Sequence, residues 1–336
     1  MAINYNNFRI NIDYDAIEAI AAKFWQESTK NEQQNVSFIC DDKVSEEAIK
    51  LSIELSTKDL MLRTLKAKGQ DSKNKLLNDF NSDTDDSLFR CFKTCCDHIL
   101  YYREKYHLWG SLLKEEFDTW HHDACLCALT TLNQYYMVSE QESVHYGKAQ
   151  KIVNMTFKYL FCLYNYDYIN GKLSNDEHNE YRVLFSRCHM PLDSFIIEWI
   201  FRETRKSTDD IHFIKSNCPP WSNLNYEEKN DLTLKDVKDG FKKYIHSYKN
   251  IVEIIDYILD NNYFEYYTAL EAELFVWQEM QLHLTSEAFI FALTPEKLSN
   301  QEKQQIRYLD IESKIKIVED TLENSKTPAK TNPCEF

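Results

Sequence analysis

Two short stretches of the chain hold residue types that could do chemistry together. Residues 145–160 read HYGKAQKIVNMTFKYL and residues 188–200 read CHMPLDSFIIEWI. In the first, Lys151 stands in the opening turns of a predicted helix whose apolar positions Ile152, Met155, Tyr159 and Leu160 fall largely on one face. In the second, Pro191 restricts the backbone before a helix, Asp193 takes a natural N-cap position, and Phe195, Ile196, Trp199 and Ile200 form the buried face behind it. A primary amine can attack an electrophilic carbon, and a carboxylate beside it can move a proton or steady positive charge. The 42 residues between them leave room for the first helix to run out and a short helix to return.

The elements that must position this pair are helices. The chain has 336 residues but only five glycines and six prolines, too few for many tight turns, while Lys, Glu, Leu and Ala carry long periodic stretches. The sequence therefore predicts an all-α, multi-helix globular bundle. A first helix runs through AIEAIAAKFWQES with Asp13 or Asp15 as its cap, and a second spans about 44–68, ended by Gly69 at a left-handed C′ position. The polar, acid-rich run at 71–85 reads as a linker, separating an N-terminal helical subdomain (1–70) from a main helical domain (86–325). Helices follow near 86–106, 111–137 and 140–164, the last opened by a capping box of Ser139 and Glu142, and then at 176–187, 193–206, 233–260, 265–284 and 296–324. Residues 326–336 read as a disordered tail.

At Gln150, Lys151, Pro191 and Asp193 the sequence resembles the helix-hairpin-helix DNA glycosylases, in particular the archaeal branch acting on 8-oxoguanine, over residues 144–202. The resemblance implies a glycosylase-like centre in which Lys151 attacks the deoxyribose C1′ of a flipped-out nucleotide and Asp193 assists proton transfer. Gln150, Asn154 and His189 become its candidate substrate-binding residues, DNA at a local site its partner, and no cofactor is required. The family's glycine-rich hairpin is reduced here to Gly147, and YNYDYINGKLSNDEHNEYRV lengthens the interval between the Lys and the Asp.

Charge limits the partners. With 39 Lys plus Arg against 54 Asp plus Glu the net charge is −15, which opposes broad attraction to polyanions, although residues 140–206 balance at nine of each sign and permit a local contact. The start MAINYNNFRI offers no export signal and no apolar run is long enough for a membrane span, so the expectation is a cytoplasmic protein with no membrane partner. Two further functions fit the sequence. One is a non-enzymatic helical adaptor that binds a protein partner through a stripe of Ile306, Leu309, Ile315, Ile317 and Leu322. The other is a HEPN-type ribonuclease using Arg182 and His189, which stand in an R-x6-H pattern.

Metal ligation is disfavoured. Cys91, Cys95, Cys96 and His98, and His121, His122, Cys125 and Cys127, cluster in sequence, but they sit inside helical patterns rather than on the knuckles that present zinc ligands. The ten cysteines are expected to be free thiols. Glu271 and Glu273, beside Leu274, Phe275 and Trp277, read as a solvated helix face.

Overall fold

The computed structural model describes residues 14–30, 36–60, 64–106, 114–206, 219–227, 247–261, 268–293 and 298–326. It is mostly helical, as expected. In chain order come α1 (Tyr14–Ser28), the two-residue strands β1 (Ile39–Cys40) and β2 (Lys43–Val44), α2 (Glu46–Asp59), β3 (Lys66–Ala67), α3 (Ser72–Phe80), α4 (Leu88–Tyr106), α5 (Lys114–Tyr135) and β4 (Tyr136–Met137). Then follow α6 (Tyr146–Ile169), α7 (Asn175–Phe185), α8 (Ser194–Lys206), a 3-10 turn (Trp221–Asn223), α9 (Tyr248–Asn261), α10 (Ala269–Leu293), α11 (Asn300–Tyr308) and α12 (Ile311–Lys326). β1 pairs with β2 and β3 with β4, both antiparallel. Among the described residues no helix is long and apolar enough to cross a membrane.

The bundle is organised around α6, which is buried on all sides from Tyr146 to Asn165 and packs against α1, α2 and α5. A helix surrounded by protein must neutralise every polar side chain that it carries inward. Lys148 reaches Thr64, Lys151 reaches Asp193, Lys158 reaches Glu273, and Asp167 accepts the Phe38 amide at 2.7 Å while pairing with Lys172. A second layer joins α10 to α8 and α12. Its interior holds an ionic cluster in which Glu287 takes both Arg202 (2.8 Å) and Lys314 (2.6 Å), with His283 Nδ1 3.0 Å from the lysine.

Several predicted boundaries move. The helix expected over 44–68 stops at Asp59, because Lys66 and Ala67 pair with Met137 and Tyr136 across the fold; Gly69 is not its terminator. The linker expected at 71–85 contains α3, whose Leu76 and Phe80 are fully buried and which packs on α5. A single apolar cluster joins Ile17, Trp25 and Ile53 to Phe157, Leu270 and Met280, so the 1–70 segment and the later helices share one core. Ser139 and Glu142 close a turn through their backbones rather than capping a helix; α6 begins at Tyr146, with His145 at its N-cap. The C-terminal stretch is two helices, α11 opened by a capping box of Ser299 and Glu302 and α12 starting after Asp310 accepts the Ser313 amide. The caps at Asp13 and Asp15, the first half of the helix expected at 233–260 and the tail at 327–336 lie outside the described residues or side chains.

Candidate functional site

Asp193 does two things at once. Its Oδ1 accepts the amides of Phe195 (2.9 Å) and Ile196 (3.1 Å), capping α8 as its place after Pro191 predicts, while its Oδ2 accepts a hydrogen bond from Lys151 Nζ at 3.0 Å. α8 is held in place by Ile196, Trp199 and Ile200, all buried. The lysine and carboxylate side chains keep 10 % and 18 % of their surface.

The start of α6 is shaped by Gly147. Its amide donates to the Leu224 carbonyl at 2.9 Å, and a Cβ there would stand 1.9 Å from the Trp221 carbonyl oxygen, so only glycine lets the 3-10 turn lie across the helix start. Lys148 stands 5.0 Å over the Trp221 ring, and burial pulls its pKa below the ordinary lysine value.

Gln150 and Asn154 were expected on the substrate. Both are fully buried and spend their amides on the protein. Gln150 Nε2 donates to the carbonyls of Gly147 (2.9 Å) and Leu192 (3.2 Å), and its Oε1 accepts from Leu192 N and from Asn154 Nδ2. Asn154 Nδ2 also reaches the Met190 carbonyl at 3.1 Å. The two amides thus clamp the backbone at 190–192 to α6, which holds Asp193 over Lys151. They position the pair; neither has surface left to bind a ligand.

His189 belongs to the same network, and its wiring follows from donor and acceptor counting. The Asn154 amide nitrogen faces acceptors, so its Oδ1 must accept, and it does so from His121 Nε2 at 2.6 Å. Asn154 Nδ2 has two protons for three acceptors, Gln150 Oε1, Met190 O and Tyr248 Oη (3.1 Å), so the tyrosine at most shares one of them; Tyr248 has its own proton to give, and His189 Nδ1 lies 2.9 Å away. With Nδ1 accepting, His189 Nε2 donates to Asp118 Oδ1 at 2.8 Å. The His121 and His189 rings lie 4.3 Å apart, and burial together with the neighbouring imidazole holds the His121 pKa well below the usual histidine value. Asp118, His121 and Tyr248 are the residues that the sequence did not single out for this site. On its other side the 186–190 segment lines a cavity of about 300 Å³, with Ile255, Asp256 and Leu259 of α9 opposite.

The remaining candidates go elsewhere. Arg182 faces Glu271 at 3.5 Å, while His189 faces Asp118 and Tyr248. Glu271 and Glu273 are buried rather than solvated, because each finds a cation, Arg182 and Lys158 respectively. The eight cysteines among the described residues are free thiols. Cys95 and Cys96 are buried, with the Cys96 thiol pushed up to about 12 by desolvation, and the His98 side chain lies outside those described. Cys125 packs against His121 within α5, and Cys127 Sγ donates to the Asp86 carbonyl at 3.0 Å. No protein-family model, no curated protein and no solved structure matches this chain.

Proposed function

We propose that the chain is a DNA glycosylase-like enzyme in which Lys151 is the nucleophile and Asp193 its acid–base partner, acting on a deoxyribose whose base has been flipped out of the duplex. The observation that carries the reading is the meeting of Lys151 Nζ and Asp193 Oδ2 at 3.0 Å, from two helix starts 42 residues apart. In the resting pair the amine is held as a donor to the carboxylate. For attack, a proton passes from Nζ to Asp193, the freed lone pair forms a bond to C1′, and the glycosidic C–N bond breaks with its electrons leaving on the base, which takes the proton that Asp193 received. A proton of the attached nitrogen then passes to the ring oxygen as the C1′–O bond opens, leaving a protonated Schiff base between Lys151 and C1′. Asp193, a carboxylate again, stands next to that positive charge and stabilises it.

One further feature supports the reading. The clamp of Gln150 and Asn154 fixes the backbone that presents Asp193, as a reaction needing aligned groups requires. The test is borohydride trapping on a panel of single and double strands bearing abasic sites and oxidised bases. A covalent protein–DNA complex is expected with the wild-type chain and none with Lys151→Ala at unchanged helicity. Absence of any covalent product across the panel overturns the proposal.

A further inference from the structure

We propose that His283 is an acid-sensitive latch for α12: while its Nδ1 carries no proton it receives Lys314 and Arg202, and a proton there expels Lys314 and undocks the last helix. Nδ1 stands 3.0 Å from Lys314 Nζ and 3.2 Å from Arg202 Nη1, so two cationic donors share one ring lone pair. A nitrogen so placed can only accept. The ring proton of the neutral imidazole therefore sits on Nε2, which faces Glu279 Oε1 at 3.6 Å.

The charged groups around the ring come from three helices. α8 supplies Arg202 and Glu198, joined at 3.3 Å; α10 supplies Glu279 and Glu287; α12 supplies Lys314, with Asp310 just ahead of it. Glu287 Oε1 takes both cations, Arg202 at 2.8 Å and Lys314 at 2.6 Å. The side chains of Arg202, His283, Glu287 and Lys314 are all buried, so water does little to screen them from one another. A third positive charge on the ring would face the other two at these distances. Burial, joined by the Lys314 and Arg202 charges, holds the His283 pKa below its ordinary value against the pull of Glu279.

α12 is the partner that yields. α8 buries Ile196, Trp199 and Ile200 in the common core, and α10 buries Leu270, Leu274 and Met280 there. Among the described side chains of α12 only Ile311 and Lys314 are buried, and Ile311 lies outside that core cluster. Lys314 Nζ also donates to the Arg307 carbonyl at 3.1 Å, so one ammonium group ties α12 to α10 and to the end of α11. The undocked chain exposes the ring, which then takes up a proton near its ordinary 6.5, and the docked chain refuses that proton. Docking is therefore full above about pH 7 and weakens as pH falls through 6.5, with the opening constant rising up to about tenfold between pH 7.5 and 5.5.

The test is amide hydrogen exchange of the full chain from pH 7.5 to 5.5, read by mass spectrometry as protection factors so that the intrinsic pH dependence of exchange is divided out. The α12 amides should lose up to about tenfold in protection over that range while remaining less protected than α6 throughout. In His283→Gln, whose side-chain oxygen can still accept from Lys314 but does not titrate, α12 protection should stay flat. Exchange of the imidazole C2 hydrogen in the same wild-type samples gives the His283 titration directly, since α10 carries no other histidine, and its midpoint should lie below 6.5. Should the glutamine variant fail to fold or to dock α12 at pH 7.5, the two wild-type measurements decide. Flat α12 protection in the wild-type chain, an equal loss in a docked His283→Gln, exchange of α12 only together with α6, or a His283 midpoint at 6.5 or above overturns the proposal.

Discussion

Helix α6 carries two lysine–carboxylate pairs seven residues apart, and their difference separates chemistry from architecture. Lys158 stands 2.7 Å from Glu273, sealed at 4 % and 1 % exposure, with its ammonium 4.4 Å over the Phe24 ring. Lys151 makes a contact of nearly equal length to Asp193, but both partners keep some surface, and the carboxylate has two backbone amides as further donors. The first pair is sealed inside the bundle. The second keeps a little of its surface. The same chemical unit is thus a core element midway along a helix and a partly exposed, candidate reaction centre near its start, and depth in the fold decides which.

The contrast should appear most strongly in stability. Lys158→Met leaves Glu273 buried without its cation and should cost about 3–5 kcal/mol in urea unfolding, whereas the double variant with Glu273→Met should recover most of the loss. A single variant no worse than the Lys151 variants would erase the distinction between the two pairs.

Acid separates them by another route. Burial holds His121, behind the Lys151 pair, well below its ordinary pKa, and burial with the Arg182 charge holds His178, near the far end of α6, at about 4 against an ordinary 6.5. Both folded-state values are depressed, so below pH 6.5 the unfolded chain binds protons that the folded chain refuses. Stability is therefore full above about pH 7 and falls as pH drops through 6.5 toward 4, by up to about 1.4 kcal/mol per pH unit for each histidine. His121→Gln should flatten that fall in urea midpoints measured from pH 7.5 to 4.5. An equally steep fall in the variant would show that His121 is not the group being protonated.

Smaller effects belong to the accessible pair. Lys151→Ala should abolish covalent trapping while costing only about 1–2 kcal/mol, since Asp193 keeps its amide donors and some water. Asp193→Ala should lose about 1 kcal/mol as α8 loses its cap, and Asp193→Asn should be close to neutral in stability because asparagine caps comparably. A catalytic carboxylate requires that the asparagine variant also lose trapping by orders of magnitude. Full trapping by the asparagine variant would leave Asp193 as a cap and nothing more.

What the sequence made legible were the parts set by neighbours along the chain. Pro191, Asp193 and the apolar face behind them announce the start of α8, and the periodicity of 152–160 announces α6, because caps and helical spacing are local physics. Misreadings arose where distant partners override local preference. Ser139-x-x-Glu142 has the letters of a capping box, yet its backbone closes a turn after β4, which pairs with β3 some seventy residues earlier. Residues 71–85 are polar enough for a linker, and only Leu76 and Phe80, docking on a helix not yet written, make α3. Glu271 and Glu273 looked solvated because Arg182 and Lys158, which receive them, lie 89 and 115 residues away. For the same reason Asp118 and Tyr248 carried no signal and His121 drew notice only as a metal-ligand candidate; no spacing rule links positions 33 to 127 residues apart.

Tyr248 also sets the order in which the site can be finished. Its hydroxyl is the joint between Asn154 on α6 and His189 ahead of Asp193, contributed from 94 and 59 residues further on. A chain emerging from the ribosome therefore presents Lys151, and then Asp193, well before the residue that completes the lattice beneath them. Until α9 arrives, the amide of Asn154 and the ring of His189 face a hole at the heart of the bundle. The network is consequently completed late in synthesis, and a nascent or truncated chain ending before residue 248 would carry Lys151 and Asp193 without the hydroxyl that joins Asn154 to His189.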